Sequence, residues 1–333
     1  MSRSQIQIWS SPQWRAEAEA WIGQQLHKHS LRLIGEIEQP RLRAWSTHLK
    51  VPTDQGVLWF KENAPAHAFE AALIDAMATI APDHVVVPIA VESERGWLLS
   101  PDQGVTLRTL EGTNEAMWCR LVAEFGDLQG RLAPHGDELA RTGLPAMLPG
   151  DVPDYVRREA LRMSRLPADD PEHMDSERAA EVAGSFELLS RDADLLTTGP
   201  IPLSLEHNDL HDNNAFVPSG DHVGFRFFDF GDAVWAHPFS SLLIPLNVMR
   251  EEWNAGYDDP RLQRVVDAYL EAWSNLASRA ELRELVAPAV RFGRIHRAES
   301  YRRLLVDFDE TARAEYGRAP SFWLAKMAEL IRD

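Results

Sequence analysis

The stretch LEHNDLHDNNAFV, residues 205–217, holds the densest set of groups able to do chemistry: two histidines, two aspartates and three asparagines within eight positions. Polar residues crowded between apolar runs ordinarily form a surface turn, so the flanking residues must show whether this one does more. AFV, then PSGD, then VGFRFF read as a β-hairpin. A turn centred near Gly220 and Asp221 sets Asn214 opposite Asp229 at the open end of that hairpin. An amide oxygen and a carboxylate meeting there suit a hard cation such as Mg²⁺, which prefers oxygen donors. Asp209, earlier in the loop, lies near enough to take a proton from a group reacting beside that metal. A rival use of the same residues is the zinc cluster of a metallohydrolase, built from His207, Asp209, His211 and Asp212. It wants further histidines; of those available, His222 falls at the expected hairpin tip, away from the cluster, and His237 lies beyond FFDFGDA.

The elements that must position these groups fall into two kinds. An amphipathic helix over residues 14–29 precedes short strand-like runs at 31–37, 57–61, 85–91 and 97–99, separated by the turns PTDQG, ENAP and ESERG. Between two of them Phe69, Leu73, Ala76 and Ile80 recur at helical spacing. From about residue 101 the pattern is helical: Trp118, Leu121, Val122, Phe125, Leu128 and Leu132 trace one apolar face, and helical periodicity returns at 261–277, 280–305 and 322–331. Sheet and helix segregate instead of alternating, which predicts an α+β fold, with a small sheet-bearing lobe over residues 1–100 and a helical lobe over 101–333. PADDPEHMDSER, residues 167–178, reads as an acidic, solvent-exposed connection.

Composition bounds the partners. With 34 basic and 51 acidic residues the net charge is −17, which argues against nucleic acid or an anionic membrane and favours a cationic small molecule. No protein partner is indicated. No run of about 18 apolar residues and no basic-then-apolar leader is seen, so a cytoplasmic location is expected. The lone Cys119 rules out an internal disulfide. Walker, GxGxxG, HExxH and GxSxG motifs are absent.

His207, Asp209, Leu210, His211 and Asn214, followed by FFDFGDA at residues 227–233, resemble the aminoglycoside phosphotransferase and choline kinase-like branch of the protein-kinase-like fold. The resemblance implies a two-lobed small-molecule kinase using ATP, with GTP as the alternative donor, and Mg²⁺. It implies that Asp209 is the catalytic base, that Asn214 and Asp229 hold Mg²⁺ on the nucleotide phosphates, and that His207 braces the loop. Such an enzyme needs a strand lysine to grip phosphates and a helix glutamate to hold it. Lys61 ends the strand VLWFK, and Glu70 lies on the apolar side of the next helix, where an unpaired carboxylate would be costly. The segment after that helix implies backbone contacts to the base near Leu98, Leu99 and Ser100. PRLRAWSTHLKV contains no glycine, so Ser46 and Thr47 are expected to cover the phosphates instead.

Asn208 stands where protein kinases place an arginine, and neither a long Ser/Thr/Tyr loop nor an APE sequence follows DFGD, so activation-loop phosphorylation is not expected. The alternative of a nucleotide-binding pseudokinase predicts a missing catalytic group, yet Lys61, Asp209, Asn214 and Asp229 are all present. For the acceptor, the net charge points to an aminoglycoside, amino sugar or other amino alcohol, with a neutral sugar as the alternative. Glu251, Glu252, Asp258, Asp259 and Glu299 are expected to receive ammonium groups, Trp235 and Trp253 to stack on a sugar face or cation, and Asp232, beside the metal ligand, to tune it or face the substrate, with a structural turn role as the alternative.

Overall fold

A computed structural model describes residues 3–110, 114–218 and 223–327 of the chain. It opens with α1 (Gln5–Trp9) and α2 (Pro12–Lys28), then β1 (Glu38–Leu42), β2 (Ser46–Thr53), β3 (Gly56–Asn63), α3 (Glu70–Ile80), β4 (Ala90–Glu92) and β5 (Trp97–Pro101). The five strands form one antiparallel sheet in the order β1-β2-β3-β5-β4. The run 31–37 is not one of its strands: only Leu33 pairs, with Thr53, and Leu33 and Ile34 are exposed. β2 takes the place next to β3 instead. Its alternating Leu49, Val51 and Thr53 are buried, but the polar residues between them hide that period in the sequence. Of the run 85–91 only its end belongs to a strand, β4.

The period of two along β3 separates the lobe's two jobs. Leu58, Phe60 and Glu62 face α1 and α2, whereas Lys61 and Asn63 face α3. On the outer face Phe60 packs edge-on against Trp21 and Trp97, with ring centroids 5.8 and 5.4 Å away. Glu62 accepts hydrogen bonds from three indoles, Trp9 at 2.9 Å, Trp14 at 2.7 Å and Trp97 at 2.6 Å. Burial pushes its carboxyl pKa up, and the three N–H donors oppose that rise. The short α1, too small to be stable alone, is fastened to the sheet by this carboxylate.

The remainder is mostly helical: α4 (Glu115–Leu132), α5 (Gly136–Ala140), α6 (Val152–Ser164), α7 (Ser176–Gly184) and α8 (Phe186–Thr198) precede the short strands β6 (Ser204–Glu206), β7 (Ala215–Phe216), β8 (Arg226–Phe227) and β9 (Val234–Ala236). Then come α9 (Leu243–Glu252), α10 (Pro260–Glu271), α11 (Arg279–Leu305), α12 (Glu310–Tyr316) and α13 (Ala319–Lys326). The segment before α7 is exposed at its ends, 167–169 and 175–178, but is anchored at its middle. Glu172 is buried and binds Arg162 at 2.8 Å and Arg313 at 2.7 Å, and Met174 joins the core. The two apolar cores also interleave across residue 100: α3 packs into the helical core, while Leu304, Leu305, Phe308 and Ala312 complete the core under the sheet.

Removing the Glu62 carboxylate strands three buried N–H donors. Glu62→Ala is expected to lower unfolding free energy by about 2–4 kcal/mol, read as a reduced urea midpoint with an unchanged m-value. An unshifted midpoint would mean the indoles find other acceptors.

Candidate active site

The loop between β6 and β7 is held from beneath. Gln129 of α4 is fully buried, its amide nitrogen Nε2 donating to the carbonyl of Leu205 at 2.6 Å and to Ser241 Oγ at 3.0 Å while its oxygen accepts from Tyr269 at 2.6 Å. His207 is equally buried: Nε2 donates to the Phe228 carbonyl at 3.0 Å and the ring packs on Phe230, centroids 4.7 Å apart. Burial lowers its pKa, so it serves as a neutral donor joining the loop to the DFGD segment. Asn208 adopts a left-handed conformation, φ 61°, tolerable for asparagine. Its side chain donates to the carbonyls of Asp232 and His296, both at 3.1 Å. Thus the residue standing at the protein-kinase arginine position stitches the loop to α11.

That stitching presents Asp209. Its Oδ1 lies 3.0 Å from Arg297 Nη2, and its Oδ2 lies 3.6 Å from His211 Nε2. Because His211 Nδ1 accepts from the Asn213 N–H at 3.1 Å, its proton sits on Nε2, facing the carboxylate. Burial alone would raise the Asp209 pKa, but Arg297 first and His211 next bring it down to about 2, keeping the group ionised. Arg297 also lies 3.3 Å from Asp232, and Asp232 accepts a hydrogen bond from Ser300.

Across from it, Lys61 Nζ lies 2.6 Å from both Glu70 and Asp229. Glu70 is almost wholly buried, and its other oxygen accepts the Phe230 N–H at 2.8 Å, while Asn63 bonds the lysine-facing oxygen. Burial pulls the Lys61 pKa down, yet the Asp229 and Glu70 charges raise it overall, so the ammonium persists. The hairpin register differs by one residue from the expected one. Ala215 pairs with Phe227 and Phe216 with Arg226, so Asn214 bonds Phe228, at 3.2 Å, and Asp229 follows in a left-handed conformation, φ 65°. The expected turn at Gly220 and Asp221, like His222, lies outside the described residues.

Asn214 donates through Nδ2 to the Asp209 carbonyl at 3.0 Å, which leaves its amide oxygen for a ligand. With Asp229 it offers hard oxygen donors on the wall of one cleft, a donor set that fits Mg²⁺. The zinc alternative fails here. His207 is spent on a carbonyl, and among the described residues no group of three or more His, Cys, Asp or Glu could hold a metal.

The cleft, about 170 Å³, is lined by the polar groups of Asp209, Asn214, Asp229 and Asp232 and by the rings of Trp45, Tyr301, Phe308 and Tyr316. Several expected contributors are elsewhere. Ser46 and Thr47 are buried, with the Thr47 hydroxyl bonded to the Arg41 carbonyl at 3.1 Å; Arg41 and Trp45 of the same hairpin line the cleft instead. Leu98 and Leu99 are each registered with both β3 and β4, so their backbone groups belong to the sheet, whereas Ser100 is registered with Trp59 of β3 alone. Trp235 packs against Gly136 and pairs with Leu205 in β9. Glu252 lies 3.8 Å from Arg108, Trp253 carries Arg261 on its face, and Glu251 sits exposed at the end of α9. Glu299 is engaged by Tyr155 at 2.7 Å and by Arg302. Helical rotation explains this last miss: positions 297, 301 and 304 of α11 share the face turned to the cleft, and 299 lies opposite. The basic and aromatic residues at that spacing were the available signal.

Buried histidines make the region acid-sensitive. Burial lowers His67 to about 4 and His237 to about 3, from 6.5. Between those values and 6.5 the unfolded chain binds the protons, so stability is intact above about 6.5 and falls as pH drops, by about 1.4 kcal/mol per unit per histidine. Urea unfolding between pH 7 and 4 should show this slope, and His237→Gln should flatten it; an equal slope in the variant would assign the acid sensitivity elsewhere.

Residues 49–285 match the model of a family described as the phosphotransferase enzyme family. A search of the curated proteins returns no match. Among solved structures the fold is similar to a macrolide 2'-phosphotransferase type I, at 13% identity and TM-score 0.57 over 96% of this chain and 98% of that one. It is also similar to a Plasmodium vivax ethanolamine kinase, at 13% identity and TM-score 0.58 over 95% and 89%. A third likeness is to a choline kinase from Cryptosporidium parvum, at 13% identity and TM-score 0.58 over 93% and 95%. These likenesses establish the kinase-like α+β fold.

Proposed function

We propose that this chain, which belongs to the phosphotransferase enzyme family, moves the γ-phosphoryl group of ATP, with GTP as the alternative donor, to a hydroxyl of a small molecule. The observation that carries the reading is the meeting, in one cleft, of the ionised Asp209 with Asn214 and Asp229, opposite the buried Lys61–Glu70 pair.

Each group has a task its surroundings suit. Lys61, held charged by Glu70 and Asp229, grips the donor phosphates. Asn214 and Asp229 hold Mg²⁺, which when bound neutralises phosphate charge. Asp209 orients the acceptor hydroxyl and receives its proton; a carboxylate with so low a pKa is a weak base, which suits a transfer in which the proton leaves late. His207 and Asn208 fix the loop, and much of the rate comes from positioning. Arg41, which lines the cleft, takes the part of a glycine-rich loop over the phosphates, and the base-contacting backbone comes from Ser100 onward, past the end of the pairing with β4. The pseudokinase alternative finds no support, since no catalytic group is lacking.

As for the acceptor, the net charge of −17 taken alone points to an amino sugar, aminoglycoside or amino alcohol, with a neutral sugar as the alternative, and the choice between them turns on the charges inside the cleft. Of the acceptor-site residues named from the sequence, Asp232 is the one that lines it.

With Mg²⁺, ATP and a panel of small alcohols, the parent should release ADP in an acceptor-dependent way. Asp209→Asn should lower kcat by roughly 10²–10⁴ while leaving affinity for a nucleotide analogue within about twofold. Equal turnover in the variant would remove Asp209 as the base.

A further inference from the structure

We infer that Arg297 sets the acceptor class: its guanidinium fills the carboxylate pair an ammonium would need, so the cleft takes an uncharged hydroxyl compound with a flat apolar face. This rests on the phosphoryl-transfer reading above. Three carboxylates are among the described residues lining the cleft, and each already faces a cation. Asp229 has Lys61 at 2.6 Å; Asp209 and Asp232 share Arg297, at 3.0 and 3.3 Å. The guanidinium is not a passing visitor. It is 12% exposed, donates to the Asn208 carbonyl at 3.0 Å, and lies over Tyr301 at 5.2 Å from the ring centroid.

Arg41 adds a further positive charge to the lining. Every oxygen of the pair beside the base already has a polar neighbour, Arg297 on Asp209 Oδ1 and Asp232 Oδ2, His211 on Asp209 Oδ2 and Ser300 on Asp232 Oδ1, so an ammonium there would have to share oxygens with a guanidinium, an arrangement that selects against a cation. Aromatic faces can hold cations without carboxylates, but Tyr301 already carries Arg297. The apolar part of the lining, Trp45, Leu304 and Phe308, suits the face of a ring.

Matched pairs test this: glucose against glucosamine, myo-inositol against 2-deoxystreptamine, ethylene glycol against ethanolamine, with choline and phenyl β-glucoside added. Transfer from Mg·ATP gives kcat/KM, and thermal stabilisation in the presence of a non-hydrolysable ATP analogue and Mg²⁺ gives binding. In the parent the neutral member of a pair should lead by roughly tenfold or more, and phenyl β-glucoside should outperform glucose. Arg297→Met lowers rates for both members through Asp209, but the neutral-to-amine ratio within a pair cancels that loss and should fall to about one or below. Arg297→Lys, which keeps the charge, should keep the preference. If Arg297→Met does not fold, Asp232→Asn serves, because an unbalanced guanidinium should raise the ratio further. A parent that prefers amines or choline, a ratio unmoved by these variants, or a parent neither stabilised by nor active on any neutral compound overturns the inference. Phosphoryl transfer itself stands or falls separately, on Asp209→Asn.

Discussion

Everything in the cleft depends on one largely buried cation held between a buried carboxylate, Glu70, and a part-exposed one, Asp229. Lys61 satisfies Glu70 and Asp229 together, and Glu70 passes the constraint onward through the Phe230 N–H and Asn63. Strand, helix and DFGD segment are therefore fixed by a single contact set. Leaving any one of these charges unmatched in so dry a place would cost several kcal/mol, which makes the relative placement of β3, α3 and the hairpin a matter of charge balance as much as of packing.

A second layer of positioning uses neutral groups. Gln129, His207 and Asn208 carry no charge, yet they hold the loop by bonds to backbone carbonyls, where a buried donor finds a ready acceptor. Asn208 does so from a left-handed backbone. The polar residues that looked interchangeable in NDLHDNN are separated by this: Asn208 faces inward, Asp209 faces the cleft, and Asp212 is buried against Arg108, 3.0 Å away.

What the sequence made legible was local chemistry, since residue types at fixed spacing constrain it directly. Asp209, Asn214, Asp229, Lys61 and Glu70 meet in space, and the segregation of sheet from helix is the α+β architecture expected. Register and rotation were less legible. One residue of slip at Asn214 changes which neighbour it faces, and the late helix was identified while its cleft-facing side was not. β2 was hidden because Thr47, His48 and Lys50 interrupt its apolar residues, and Leu98 and Leu99 could not be known to be paired on both sides without knowing that β4 pairs there. Charge summed over the whole chain could not locate charge within one pocket.

The helix α11, 27 residues and so about 40 Å long, ends in the core beneath the sheet, where Leu304 and Leu305 pack with Phe308 and Ala312. The smaller lobe is thus fastened twice, by the chain leaving β5 and by this returning helix. A body held at two points turns about the line joining them instead of swinging freely on one hinge. At about 170 Å³ the cleft is narrower than ordinary ligand sites, roughly 300–1,000 Å³, and a turn of the smaller lobe about that line is the motion that would widen it. Because Asn208 ties the loop of Asp209 to His296 and Arg297 of that same helix, Arg297 and Asp209 belong to one body, and such a turn would leave their 3.0 Å contact in place.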